Sequence, residues 1–254
     1  MKKFLKSKTG IFTFTLLGII LVISLWWIIS ACLNSDLFPN PIDSFKRFWE
    51  LFILPKTWNA IGGTLLRLLI SLGISLAAGL ILGIVAGLFE IIYKILNPLI
   101  IVLRTLPIAA IIYIMIVLLK PQYSLFIITN LMMFPLIYEA IASGIKNISC
   151  DITDTIKLDT RVSDPRAVTK IIIPMSLESI ALGVVQSLGL GMKASIMAEV
   201  LVGTDTISGL GRMMYRGYIE LDMVTVFAVA IYAIILIGLL DLLLSILKKK
   251  LKQI

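Results

Sequence analysis

The sequence predicts an all-α integral membrane protein with six transmembrane helices. Its 254 residues are 59% hydrophobic and 15% charged, and the mean hydropathy is +1.04. A soluble domain of this length has too few polar side chains to cover that much apolar residue. Six apolar runs reach the length of about 20 residues that crosses a bilayer. They comprise residues 11–33, 60–89, 98–119, 124–144, 175–202 and 223–247.

Lysine and arginine are unevenly distributed among the segments that join these runs. If the N terminus lies inside, 14 of the 23 Lys and Arg residues fall in inner segments and 6 in outer ones. Cytoplasmic loops of membrane proteins collect these residues. We therefore expect both termini in the cytoplasm, and we interpret the net charge of +8 as topology rather than as a nucleic-acid surface.

The first run and the outer segment after it carry all four tryptophans. The first run contains Trp26 and Trp27 near its outer end, which is typical of an uncleaved span with an interfacial aromatic belt. The segment 34–58 begins with an extended, proline-bearing stretch. It continues with aromatic residues at helical spacing, which predict an amphipathic helix at the membrane interface. These are Phe45, Phe48, Trp49 and Phe52.

The second run has glycine at every fourth position, at Gly79, Gly83 and Gly87. This spacing allows another helix to approach closely, and helix packing is its simplest interpretation. Arg67 lies near the outer end of the same run, where we expect its side chain to extend to the interface. The segments 90–97 and 203–222 are predicted as loops, the second polar and rich in glycine.

The inner segment 145–174 is the longest polar interval between apolar runs. Acidic and basic residues alternate along it, while Ile148, Ile152 and Ile156 recur at helical spacing. This pattern predicts a short helix with one apolar edge, too charged to enter lipid. Such a helix fits a groove on a partner protein. Pro165 follows it, and Pro174 opens the next apolar run.

Several charged residues fall inside predicted spans, among them Arg104, Lys193 and Glu199. Arg104 lies near the end of a span, where an arginine is more often a snorkelling or structural residue than a gate. A charge at the centre of a bilayer costs about 2.5–3.5 kcal/mol or more, so Lys193 and Glu199 need a partner or a water-filled path. Lys193 and Glu199 are six residues apart and do not share a helix face, so we do not expect them to pair directly. Pathway lining and a structural ion pair remain open for both.

Several classes of chemistry lack the residues they need. No G-x-x-x-x-G-K-[ST] sequence occurs, so a P-loop for ATP is excluded. There is no histidine, and the two cysteines, Cys32 and Cys150, are predicted on opposite sides of the membrane. We therefore expect neither a metal site nor a disulfide. No nucleophile stands beside a base, so we predict no catalytic residues and no cofactor in this chain.

The inner segment resembles the cytoplasmic loop of ABC importer permeases of the type I fold. Asp154-Thr155-Ile156 stands where that family has Glu-Ala-Ala, Thr160 where it has glycine, and Ile171-Ile172-Ile173-Pro174 where it has Ile-x-Leu-Pro. The spacing is one residue longer than the family's. Glu139-Ala140-Ile141 is a second possible start of this loop motif, but it lies too far from Pro174 and inside a span.

Other motifs follow in the order found in the nitrate, sulfonate, taurine and thiamine-precursor permeases. Phe38-Pro39-Asn40-Pro41 is similar to their Leu-Pro-Ser-Pro, and Thr64-Leu65-Leu66-Arg67 precedes a glycine-rich span as in their second helix. Further matches are Asn97-Pro98-Leu99, Arg104-Thr105-Leu106-Pro107, Ala198-Glu199 and Gly209-Leu210-Gly211. The resemblance covers the chain from Phe38 to its C terminus.

The resemblance implies a single transmembrane domain, residues 1–254, that forms half of a solute pathway in a bacterial cytoplasmic membrane. Residues 1–33 are the tail and first span, 34–58 the outer segment, and 59–254 a five-helix core with a coupling loop at 145–174. It also implies a coupling helix for a separate ATPase dimer, which holds ATP and Mg²⁺, together with an extracytoplasmic binding protein and a second copy of the chain. The coupling residues implied are Asp151, Ile152, Asp154, Thr155, Ile156, Leu158, Thr160 and Pro174, with Ile152 and Ile156 as buried anchors. Pathway or gate residues are Arg104, Lys193, Glu199, Gly209 and Gly211, and the glycines are expected to give the outer loop backbone freedom.

The substrate implied is a small organic or inorganic anion or a vitamin precursor, and nothing in the residues identifies it. A self-sufficient ion-coupled carrier or channel is the alternative function. Such a carrier should show discontinuous helices with a midplane acid, or repeated halves. The sequence has no clear internal repeat, and the coupling signals of vitamin-type energy-coupling transporters are missing.

Overall fold

The computed structural model describes residues 8–159, 162–203 and 207–251, and within these ranges it contains helices and no β-strand. The N-terminal half comprises α1 (Lys8–Leu33), α2 (Pro41–Ile53), α3 (Pro55–Leu88), α4 (Glu90–Thr105), α5 (Ile108–Leu118) and α6 (Pro121–Lys146). The C-terminal half comprises α7 (Cys150–Asp159), α8 (Pro165–Ala167), a π-helical turn (Val168–Ile172), α9 (Ile173–Val202), α10 (Leu210–Ile219) and α11 (Met223–Leu251).

Five helical stretches are long and apolar enough to cross a membrane: Thr13–Leu33, Pro55–Leu88, Pro121–Lys146, Pro165–Val202 and Met223–Leu242. The predicted third span differs from expectation, because it is the bent pair α4–α5 with an angle of 95° between its halves. The break falls where Leu106 is extended before Pro107, as the residue before a proline prefers. The predicted loop 90–97 is wrong, since these residues form the first half of α4.

The bent pair crosses the membrane once, as its neighbours show. Tyr93, near the start of α4, lies under Lys146 at the C-terminal end of α6, with 3.6 Å from Nζ to the ring centroid. Arg104, near the end of α4, meets Glu139, which lies almost two helical turns farther along α6 towards its N-terminal end. The chain then continues through α5, and the Ser124 hydroxyl at the N-terminal end of α6 donates to the Met115 carbonyl. With the five stretches above, this makes six spans.

The core is built from α3, α6 and α9, with α6 in the middle. A Cβ atom added at Gly79, Gly83 or Gly87 would lie 2.6 to 2.9 Å from the isoleucine of α6 that faces it. These isoleucines are Ile137, Ile141 and Ile145, also four residues apart. The glycine groove of α3 is therefore filled from within the chain, which confirms the prediction of helix packing.

The outer segment forms the predicted amphipathic helix, α2. Asn40 accepts a hydrogen bond from the Asp43 N–H across 2.8 Å. Pro41 begins the helix, and the two residues together make a favourable N-terminus. The ring of Phe48 stacks on Tyr232 of α11, 4.2 Å away. On its other face Trp49 is 62% exposed. Along most of its length α1 is exposed, but the Trp26 indole donates to the Pro39 carbonyl across 3.0 Å.

An electrostatic contact ties α2 to the start of α11. The Arg47 guanidinium lies 3.5 Å from the Asp222 carboxylate and donates to the Thr225 hydroxyl across 2.9 Å. Partial burial by itself raises the pKa of Asp222, but the hydrogen bonds from Thr225 and the charge of Arg47 outweigh it, so the pKa lies below its ordinary value. Asp222 therefore stays ionised where α11 begins.

Two further boundaries differ from expectation. The span that contains α9 starts at Pro165 rather than at Met175, because a π-helical turn joins α8 to α9. In that turn the Ile173 N–H donates to the Val168 carbonyl, five residues back, just before Pro174, which has no N–H. The predicted outer loop 203–222 contains a ten-residue helix, α10.

Candidate functional site

Polar side chains inside the spans include two groups, named after the predicted orientation: an outer cluster around Glu199 and an inner groove beside Glu139. In the outer cluster the Glu199 side chain is fully buried and lies 2.5 Å from the Arg67 guanidinium. The Thr64 hydroxyl lies 2.9 and 3.0 Å from its two oxygens, and the Gly211 N–H donates to it across 2.9 Å. The carboxylate thus joins α3, α9 and α10.

The glycines of the outer cluster are required for close approach. A Cβ atom at Gly209 would lie 2.4 Å from a Glu199 oxygen, and one at Gly211 would lie 2.3 Å from the Ile196 carbonyl oxygen. Between them, the Leu210 N–H donates to the Thr64 hydroxyl across 3.0 Å. The expectation that these glycines give backbone freedom is therefore wrong at Gly209 and Gly211. Of the described glycines, only Gly203 has a positive φ, 56°, at the end of α9, and such a conformation favours glycine.

Arg67 does not reach out to the interface, so that expectation is also wrong. Its guanidinium is directed inward and donates to the Ser208 carbonyl across 2.7 Å in addition to pairing with Glu199. The structural ion pair left open for Glu199 is thus present, with Arg67 as the partner. Lys193 lies apart from this pair, on an exposed side of α9.

The inner groove lies between α4, α6 and α9 and has a volume of about 300 Å³. Arg104 and Glu139 form an ion pair along its wall, with side chains that are 43% and 45% exposed. Ser143, Ser179 and Gln186 supply further polar lining. On α9, Lys193 follows Gln186 by seven residues, as Gln186 follows Ser179. Seven residues are about two helical turns, so the three side chains lie near one line along the helix.

Six of the predicted coupling residues lie on α7, between α6 and α8. Asp151, Asp154 and Thr155 are exposed, and Ile152 is half-buried. Ile156 is only 6% exposed and is covered by its own chain, so the prediction that it anchors a partner is wrong for this conformation. The side chain of Leu158 and all of Thr160 lie outside the described residues. Pro174 lies in the first turn of α9.

Comparison with known families decides the identity. Residues 79–253 match the sequence model of the family described as binding-protein-dependent transport system inner membrane component. The chain belongs to this family. Among solved structures, the MetNI methionine ABC transporter in inward-facing conformations has a similar chain, with a TM-score of 0.66 and 16% identity. The match covers 77% of the permease and 96% of that chain. No curated protein matches the permease.

These findings confirm the predicted fold and family, an ABC importer permease of type I in a membrane that it crosses several times. The carrier alternative gains one feature, the discontinuous span α4–α5 next to the acid Glu139. No second broken span is found in the part of the permease that the structure describes. Family membership therefore favours the importer over the carrier. Among the described residues, no group of three metal-ligating side chains occurs either.

Sequence reasoning missed two partners, Arg67 for Glu199 and Glu139 for Arg104. Thr64 and Arg67 are three residues apart and so share a helix face, which is a signal that both serve one site. Glu139 carried a clearer signal, because an acid inside a span is by itself a candidate functional residue. Of the predicted pathway residues, Arg104 lies in the inner groove, Lys193 in line with its wall, and Glu199, Gly209 and Gly211 in the outer cluster.

Proposed function

We propose that the permease conducts a small solute inward and is driven through α7 by a separate ATPase on the cytoplasmic side. An extracytoplasmic binding protein delivers the solute, and ATP and Mg²⁺ belong to the ATPase. The observation that carries this proposal is the exposed polar edge of α7. The excess of lysine in the inner segments supports a cytoplasmic position for both termini and for α7.

An ATPase can drive the permease only through an element that transmits its motion to the spans. Three residues separate α7 from the end of α6, and the buried Ile156 packs α7 against the rest of the permease. A push on α7 therefore reaches α6 and, through α8 and the π-helical turn, α9. The surface left for the ATPase is made by Asp151, Asp154 and Thr155.

We expect the double substitution Asp154→Lys and Thr155→Lys to release the ATPase. Both side chains are exposed, so the permease should still fold, while the reversed charge meets groups arranged for an acid. Tagged permease is purified from its native membrane, and the retained Mg-ATP hydrolysis and P-loop peptides are quantified. The expected loss of retention is at least tenfold, about 1.4 kcal/mol.

Asp36→Lys is the matched control, because Asp36 is exposed in the segment expected outside, and this variant should retain the ATPase. Retention that is unchanged by the double substitution, with transport intact, places the joint elsewhere in the permease. Loss of retention in the control as well indicates a general defect of assembly instead.

We propose further that two copies of the permease form the pathway, with their α9 helices facing it. Gln186 and Lys193 are exposed on α9. A charged side chain facing lipid at this depth costs about 2.5–3.5 kcal/mol or more. The opposite side of α9 is covered, because Leu188 and Met192 pack on Ala233 of α11. A second copy that covers the exposed side completes a water-filled path.

Crosslinking tests this arrangement. With Cys32 and Cys150 replaced by serine, Gln186→Cys should give dimers of the permease with a short bis-maleimide. Ile234→Cys should stay monomeric, since Ile234 is 68% exposed on α11, away from the α9 surface. Native mass spectrometry of the purified complex should count two copies. A mass with one copy beside a different permease contradicts the homodimer and leaves the importer intact.

A further inference from the structure

The two ion pairs described above, Arg67–Glu199 and Arg104–Glu139, differ in how far their side chains are exposed. Glu199 is fully buried and hydrogen-bonded on both oxygens, so no solute reaches it without unfolding the outer cluster. Arg104 and Glu139 are each almost half exposed to the inner groove. Within the described part of the permease, Glu139 is the one carboxylate that Arg104 contacts. The guanidinium has five N–H donors, so this pair leaves donors that a solute can reach.

We propose that the inner groove is a solute-binding site, and that the solute carries an oxyacid anion that replaces Glu139 on Arg104. The groove then selects solutes itself, in addition to any selection by the binding protein. This inference rests on the proposed function, since a solute must reach the groove. The planar guanidinium binds carboxylate, sulfonate and phosphate groups through parallel hydrogen bonds, which favours such a ligand over a neutral one.

The charges along the groove favour an anion over a cation. Arg104 and Lys193 are positive and Glu139 is negative, so the wall and its continuation along α9 carry one excess positive charge in each copy. Lys193 lies about 10 Å beyond Gln186 along the helix, on the outer side. It can therefore attract an anion before the anion reaches Arg104. When the anion binds, Glu139 is left facing the open groove, where water can still reach it.

The shape of the groove limits the size of the ligand. Its volume is about 300 Å³, which lies at the small end of ligand sites. Small residues bring α6 and α9 together behind it: a Cβ atom at Gly183 would lie 2.3 Å from that of Ala140, and one at Gly144 would lie 2.7 Å from that of Ser179. Ser143, Ser179 and Gln186 line the groove. Ser179 and Gln186 can donate hydrogen bonds to the remainder of a small polar solute, whereas the Ser143 hydroxyl already donates to the Glu139 carbonyl and can accept one.

Four compounds of similar length test the proposal: butanoate, propanesulfonate, butanamide and butylammonium. The assembled transporter is placed in lipid nanodiscs, its unfolding temperature is measured against the concentration of each compound, and the dissociation constant is obtained from the rise. One or both anions should raise the unfolding temperature, and their relative strength distinguishes a carboxylate from a sulfonate ligand. The amide and the ammonium compound should have no effect. Failure of both anions, or an equal effect of the amide or the ammonium compound, overturns the proposal.

Two variants separate binding from a structural role. Arg104→Gln should raise the dissociation constant of the anion at least tenfold, whereas Glu139→Gln should lower it, because the competing carboxylate is gone. A purely structural ion pair would shift both variants in the same direction, and that result, or no shift in either, overturns the proposal. Arg104→Lys keeps the charge if Arg104→Gln fails to fold, and it should weaken anion binding by losing the planar donors.

A matched control and a labelling experiment locate the site. Lys94→Gln breaks the exposed Glu90–Lys94 pair, whose side chains are 68% and 72% exposed outside the groove, and should leave anion binding unchanged. With the native cysteines replaced, the effective anion should slow maleimide labelling of Gln186→Cys, and unslowed labelling contradicts the location. ATPase retention is measured in the same samples. A transporter that holds its ATPase but binds no anion overturns this inference and leaves the proposed function standing.

Discussion

Glu199→Ala is expected to destabilise the permease by about 3–5 kcal/mol, the cost of removing one partner from a buried ion pair. The Arg67 side chain is 11% exposed and would keep its charge, while only the Ser208 carbonyl would remain to accept its hydrogen bonds. The Gly211 N–H and the Thr64 hydroxyl would lose their acceptor in the same step. The measurement is the unfolding midpoint in nanodiscs, followed by tryptophan fluorescence.

A double substitution distinguishes the charge from the rest of the cluster. Arg67→Met combined with Glu199→Leu removes both charges and keeps apolar volume, so it should recover much of the stability lost in Glu199→Ala. Thr64→Val keeps the shape but leaves the buried Leu210 N–H without its acceptor, which costs about 1–3 kcal/mol. Glu90→Ala breaks an exposed pair and should leave the midpoint unchanged. If Glu199→Ala unfolds at the wild-type midpoint, the outer cluster is not what attaches α10 to α3 and α9.

The spans could be predicted because each signal lies within one stretch of chain. An apolar run of membrane length is visible without knowing its neighbours, and so is the excess of lysine on one side. The glycine spacing of α3 also indicated close packing correctly. It did not indicate the partner, because Ile137, Ile141 and Ile145 belong to a helix that is distant in the sequence.

The missed features depend on contacts that no local pattern contains. Arg67 and Glu199 are 132 residues apart, and nothing at either position specifies the other. From sequence alone, Gly209 and Gly211 can be flexible or closely packed, because glycine serves both freedom and close approach, and only the neighbouring atoms decide between them. Ile156 has the same ambiguity, since an apolar edge on α7 can be covered by its own chain or by a partner. Pro107 lies at the break between α4 and α5. A proline in an apolar run, however, does not determine the angle between the two helices.

Gly79→Ala is expected to weaken the packing of α3 on α6. The new Cβ atom would lie 2.6 Å from Ile137 Cγ2 and 3.2 Å from Ile137 Cβ, closer than carbon atoms pack. Crowding of this kind in a packed core costs about 1–3 kcal/mol. Gly73→Ala is the matched control in the same helix, because a Cβ atom there would meet no atom within 4 Å. Its unfolding midpoint in nanodiscs should be that of the wild type.

The reverse change on α6 tests whether this contact is the cause. Ile137→Ala removes Cγ2, so the combination of Gly79→Ala with Ile137→Ala should be more stable than the two separate losses predict, by about 0.5–3 kcal/mol of coupling. The fraction of permease dimer is measured beside the midpoint, because glycine at this spacing also serves contacts between chains in other membrane proteins. A Gly79→Ala variant that loses the dimer at an unchanged midpoint would show that the groove of α3 faces a second copy. A lowered midpoint that Ile137→Ala partly restores assigns the groove to α6.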